Sequence, residues 1–115
     1  MTTLRSTPSA PSVLLTGASG FLGSALLRSL LQSGRQVIAT IRATSSRKRI
    51  IDVISHPNLS FVDSAPAALE AIFKQNSIGT IIHTATEYGR GQTPVSSILD
   101  SNLVLPIRLA ELGTK

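Results

Sequence analysis

Val13-Leu14-Leu15-Thr16-Gly17-Ala18-Ser19-Gly20-Phe21-Leu22-Gly23 decides the fold. Its first four residues are an apolar run of strand length, and glycines then stand at 17, 20 and 23, where a helical pattern opens. Each glycine has a mechanical task. Gly17 permits the sharp turn off the strand, Gly20 removes a side chain where a pyrophosphate approaches the backbone, and Gly23 lets the helix pack closely. The helix start then offers unpaired N–H groups and the positive end of its dipole to phosphate oxygens. Turns and caps also collect glycine, so the triplet acquires meaning only from the strand before it and the helix after it.

The surrounding chain supplies that context. Leu22, Ala25, Leu26, Ser29 and Leu30 recur at helical spacing, and Gly34 stands where a left-handed cap closes a helix. Val37 to Ile41 is β-branched and continuous, the pattern of a strand covered on both faces. Strand, helix and strand in this order form a right-handed parallel crossover. The spacing further predicts a short helix over Arg47 to Ser55, a strand at Leu59 to Val62, a helix over Ala67 to Gln75 and a fourth strand at Thr80 to Thr84. From Pro94 onward Val95, Ile98, Leu99, Asn102 and Leu103 share a helical face, with Gly113 as the stop. The alternation predicts an α/β, Rossmann-type open parallel sheet, strand order 3-2-1-4, with helices on both faces.

Bulk properties narrow the function classes. A chain of 115 residues with 42% apolar and 15% charged residues suits one globular domain, expected over residues 13–115 after a disordered tail at 1–12. The net charge of +5 permits anionic partners, yet aromatic residues are 3% of the chain, which argues against stacking on nucleic-acid bases. With no cysteine, disulfides, thiolate zinc sites and cysteine nucleophiles are excluded. No apolar run reaches membrane-spanning length and no signal-peptide pattern opens the chain, so a cytoplasmic location without membrane contact is expected.

The end of the second strand bears on which dinucleotide is taken. A carboxylate there binds the ribose hydroxyls of NAD, whereas a cation pairs with the extra phosphate of NADP. Arg42 stands at that place, Val37 to Lys48 contains no Asp or Glu, and Arg47, Lys48 and Arg49 add positive charge. NADP is therefore favoured over NAD. Solvated loop charges would leave the same letters.

The run TGASGFLGSALLRSLLQSG resembles the cofactor turn and first helix of the extended short-chain dehydrogenases/reductases, the NAD(P)-dependent epimerase/dehydratase family. IIHTATEYGRG and SNLVLPIRLAELG look like that family's fourth strand and following helix. The resemblance implies that Gly17, Ser19, Gly20, Phe21 and Leu22 surround the pyrophosphate, that Asp63 and Ser64 lie near the adenine, and that Thr84, Ala85 and Thr86 line the nicotinamide side. Asn102 matches an asparagine of the helix after strand four, and Pro106 four residues later frees the carbonyl of residue 102, so a local kink is expected. Bland roles compete: Asp63 serves equally as a turn or helix cap, Thr84 and Thr86 as a strand end, and His83 as a hydrogen-bonded core residue rather than a base.

The family's proton-transfer pair, a Tyr followed four residues later by a Lys, has no counterpart here, because Gln92 stands four residues after the single tyrosine, Tyr88. No catalytic residue is assigned, and the fold is expected to be C-terminally incomplete. The fourth strand would then be an apolar edge, with marginal stability and self-association as the consequence. Three functions stay open: the cofactor-binding portion of a nucleotide-sugar epimerase, dehydratase or reductase; a non-catalytic dinucleotide-binding module or degenerate fragment; and a reductase of the dihydroflavonol or cinnamoyl-CoA type. TEYGRG leans toward the sugar-modifying branch by resemblance.

Overall fold

The computed structural model describes residues 11–42, 46–85 and 94–114. The expected tail falls mostly on residues 1–10, outside the described residues; strand β1 (Ser12–Thr16) starts one residue earlier than expected. Helix α1 (Phe21–Gln32), strand β2 (Val37–Ile41), strand β3 (Leu59–Asp63), helix α2 (Pro66–Gln75) and strand β4 (Ile78–His83) follow in order. The last helical run has three parts, α3 (Val95–Leu99), a π-helical turn (Asp100–Val104) and α4 (Leu105–Gly113). Among the described residues no helix is long and apolar enough to cross a membrane.

All strand pairs are parallel and lie in the order β3-β2-β1-β4, the order expected from the alternation of elements. The register sets Val13 beside Val37 and Leu15 beside Ala39, so like-facing side chains form continuous rows. Leu15, Val37 and Ala39 pack with Leu27 and Leu31 of α1 and with Ile50. On the opposite face Leu14 and Ile38 pack with Leu69 of α2 and Leu109 of α4. Both central strands are thus covered on both sides, which is why their sequences are uninterrupted apolar runs. Each fully buried leucine contributes about 2 kcal/mol by leaving water.

One local expectation needs correction, and two helical stripes read from the spacing are not the faces that pack on the sheet. Arg47 to Ser55 is no α-helix: only Lys48–Ile50 forms a 3-10 turn, and Ile51 to Ser55 are turns. The β-branched cluster Ile50, Ile51, Val53 and Ile54 disfavours helix, and the buried Ile50 with the partly buried Val53 packs the segment against the core. The buried stripe of α1 is Gly23, Ser24, Leu27 and Leu31, whereas Leu22 is 60% exposed. Val95, Leu99 and Leu103 are likewise exposed, and the sheet-facing side of the last helical run is built on Leu109. In both helices leucine occurs on more than one side, so spacing identifies an apolar stripe without saying which one faces the sheet.

Other local signals agree with the structure. Gly34 has φ +78°, and the Gly34 and Arg35 amides donate to the carbonyls of Leu31 and Leu30, the paired bonds of a Schellman close. The distortion expected ahead of Pro106 is the π-helical turn at Asp100–Val104, which ends one residue before α4 begins at Leu105. Pro66 occupies the first turn of α2, where its missing N–H costs nothing.

Candidate dinucleotide site

At the carboxyl ends of β1, β2 and β4 lies a cleft of about 360 Å³. Gly17, Ser19, Gly20, Phe21, Leu22 and Gly23 form one wall; Thr40, Ile41 and Arg42 from the end of β2, with Ser64 after β3, form the next. Thr84 and Ala85 after β4, with Leu105 of α4, complete it. Ligands of open parallel sheets bind outside strand carboxyl ends where neighbouring crossovers diverge, and β1 with its neighbours β2 and β4 is such a place.

Steric necessity shapes the glycine turn. Gly17 has φ +74°, and a Cβ there would lie 2.7 Å from the Ala85 amide nitrogen and 2.8 Å from the Thr84 carbonyl carbon. A Cβ on Gly23 would lie 2.6 Å from the Gly17 carbonyl carbon and 2.9 Å from Thr84 Oγ1. The third glycine therefore lets α1 sit against the turn and the end of β4, and so sets the rotation of the helix about its axis. That rotation points Phe21 and Leu22, 84% and 60% exposed, away from the core and onto the cleft.

The start of α1 has the character of an anion site. Gly20 is its N-cap, no side chain caps it, and no acidic residue stands in its first turn. The first-turn amides and the helix dipole are thereby left to a ligand, and the bare backbone at Gly17 and Gly20 gives close access. These residues fit a diphosphate. A dinucleotide bound there would supply hydride-transfer chemistry at its nicotinamide.

The two strands that flank the cleft are tied by Thr16. Its buried hydroxyl accepts the Thr84 amide at 3.0 Å and the Ala85 amide at 3.2 Å, while Thr84 Oγ1 donates to the Thr16 carbonyl at 2.6 Å. His83 Nδ1 lies 2.6 Å from Thr16 Oγ1, so His83 is a hydrogen-bonded strand residue, as its apolar setting led one to expect.

Of the residues expected at the site, Gly17, Ser19, Gly20, Phe21, Leu22, Arg42, Ser64, Thr84 and Ala85 converge on this cleft. Asp63 and Asn102 are not among its lining residues. Asp63 ends β3 and its Oδ1 accepts the Ala65 amide at 2.8 Å, the turn-capping role that competed with ligand contact. Asn102 lies exposed on the π-helical turn. Thr86, Tyr88 and Gln92 fall outside the described residues. Thr40, Ile41 and Leu105 line the cleft without having been singled out; Leu105 follows from the π-helical segment, whose distortion Pro106 announces without giving the direction in which Leu105 turns.

The basic run behaves differently from Arg42. Arg49 Nη1 donates to the Ser19 carbonyl at 3.4 Å and Arg47 lies 6.0 Å from the Phe61 ring centroid. Arg28 of α1 holds this segment: Nε and Nη2 donate to Asp52 at 3.0 and 2.7 Å, and Nη2 also donates to the Arg49 carbonyl. The Arg28 guanidinium keeps the Asp52 carboxyl below its ordinary range, chiefly through these hydrogen bonds.

Sequence and structure comparisons agree on the kinship. The pattern of the NAD dependent epimerase/dehydratase family matches residues 13–115. CDP-abequose synthase of Salmonella muenchen is 35% identical over 100 residues, covering 87% of this chain and 32% of that protein. The structure of dTDP-glucose 4,6-dehydratase from Bacillus anthracis in complex with NAD superposes with a TM-score of 0.75 at 26% identity, over 90% of this chain and 33% of the other. Bordetella bronchiseptica WbmG, in complex with NAD and UDP, shares the fold at TM-score 0.76 and 23% identity, over 90% of this chain and 34% of its own. The chain thus spans about a third of the length of the relatives it matches. With the glycine turn, the sheet order and this match together, the chain belongs to the NAD dependent epimerase/dehydratase family.

Proposed function

We propose that this chain is the cofactor-binding portion of an enzyme of the extended short-chain dehydrogenase/reductase type, acting on a nucleotide-linked sugar and preferring NADP to NAD. The observation that carries this reading is the placement of Arg42 on the same cleft as the uncapped start of α1. In the proposed complex the Gly17 to Gly23 backbone holds the diphosphate, Arg42 pairs with the ribose 2′-phosphate, and Thr84 with Ala85 borders the nicotinamide. The nucleotide-sugar assignment is supported by the relatives, among them a CDP-abequose synthase and a dTDP-glucose 4,6-dehydratase. The chain's own share is binding rather than proton transfer, because Tyr88 has Gln92 where the family's lysine would stand.

Calorimetric titration of the chain with each cofactor tests the preference. NADP binds more tightly than NAD in this reading, and Arg42→Ala brings the two together by weakening NADP about tenfold or more. Equal affinities in the unmodified chain, or an unchanged ratio in Arg42→Ala, overturn it.

A further inference from the structure

A second cavity of about 350 Å³ adjoins the first, and the two share Arg42, Ser64 and Leu105. Its remaining wall comes from Pro66 at the start of α2 and from the last helical run, where Ser97, Asp100, Val104 and Arg108 turn toward it. Those four positions recur at three- and four-residue spacing along one side of the run, next to the exposed stripe of Val95, Leu99, Leu103 and Ile107. Arg108 is half-buried and follows from a rigid base, since its neighbour Leu109 is 2% exposed in the core beneath. Among the described residues the ion pairs are Arg28–Asp52 and Lys74–Glu70, so neither Arg42 nor Arg108 is engaged by a carboxylate.

We infer that Arg108 is a second specificity-determining cation, which grips a phosphate monoester together with Arg42 from the opposite wall of the shared cavity. The inference rests on the NADP reading and extends it: the ligand group is an adenosine 2′-phosphate. A phosphate monoester carries a charge near −2 and three acceptor oxygens, enough to engage two guanidinium groups at once. Asp100 on the same wall repels every anion, so a net attraction is left only to one that engages both arginines. The hydroxyls of Ser64 and Ser97 supply neutral donors between them. A bare ribose offers neither guanidinium a charge to meet, so the arrangement discriminates by the phosphate alone.

Adenosine 2′,5′-bisphosphate and 5′-AMP, titrated calorimetrically against the chain, separate this role from a general one. The unmodified chain binds the bisphosphate more tightly; Arg108→Gln weakens it about tenfold, leaves 5′-AMP within about twofold, and Arg108→Lys falls between. If Arg108→Gln leaves the bisphosphate unchanged while Arg42→Ala weakens it, the role of Arg108 is overturned and the NADP reading stands. An equal loss for both ligands also overturns it, by showing that Arg108 serves the adenosine or the fold. If the unmodified chain binds the two ligands equally, both readings fall.

Discussion

The Thr16 hydroxyl is the hub between β1 and β4: its oxygen lies 2.6 Å from His83 Nδ1 and accepts the amides of Thr84 and Ala85. A hydroxyl has one proton and two lone pairs. With both lone pairs directed at backbone amides, its proton goes to Nδ1, and the ring proton of His83 resides on Nε2. Thr16→Val keeps the shape and removes the hub, so it destabilises the chain by about 1–3 kcal/mol. Thr16→Ser keeps the bonds. Urea denaturation and amide exchange at Ala85 check this: exchange accelerates in the valine variant alone, and unchanged exchange there contradicts the role.

Gly23 tolerates no side chain, because a Cβ would lie 2.6 Å from the Gly17 carbonyl carbon. Gly23→Ala therefore costs about 1–3 kcal/mol through overpacking, and it displaces the α1 start from the cleft. Gly34 is a control, with the positive φ of +78° and nothing within 4 Å of a Cβ. Gly34→Ala costs about 1 kcal/mol from backbone strain alone and leaves dinucleotide affinity unaltered. Denaturation and cofactor titration of both variants read the contrast. Equal loss of binding in both would remove the special status of Gly23.

The Arg28–Asp52 pair predicts an acid-sensitive tether between α1 and the 3-10 segment. The folded carboxyl is held below its ordinary value, so its contribution is present above about pH 3.9, the unfolded aspartate value, and is lost as acid titrates the folded group. Both side chains are substantially exposed, 37% and 57%, so the effect is modest and screened by salt. Denaturation midpoints of the unmodified chain and Asp52→Asn differ at neutral pH and converge at about pH 2. A difference that persists in acid would assign the loss to something other than the carboxylate.

Strand β4 is an edge of the sheet, and Gly79 and Thr80 are exposed on it. An unprotected apolar edge recruits another strand, so sedimentation is expected to show concentration-dependent association of the 115-residue chain. Thr80→Lys places a charge on that edge and disperses the assemblies. If Leu103→Lys disperses them and Thr80→Lys does not, the exposed stripe of the last helical run is the seat instead.

Sheet order and the glycine turn were legible because each rests on a local rule. Val37 to Ile41 is apolar throughout because both its faces are covered, and Gly17 and Gly23 are glycines because backbone atoms occupy the space of a Cβ. Helix rotation was not legible. Leu22 and Leu27 look alike in a sequence, and only the contact of Gly23 with Gly17 turns Leu27 inward and Leu22 toward the cleft. Leu105 was missed for a related reason, since its direction depends on the π-helical turn before it. Asp63 shows the opposite limit, where one residue type serves a cap and a ligand equally well, and its Oδ1 accepts the Ala65 amide while Oδ2 is not used by that cap.

The central claim is that the backbone from Gly17 to Gly23 holds the diphosphate of a dinucleotide. Amide chemical shifts of the ¹⁵N-labelled chain, followed during titration with NADP, address it residue by residue. The account predicts saturable shifts concentrated at the amides of Ser19 to Gly23, with smaller ones at Arg42 and Ala85. Saturable shifts confined to other surfaces, with the glycine turn unmoved, would contradict it.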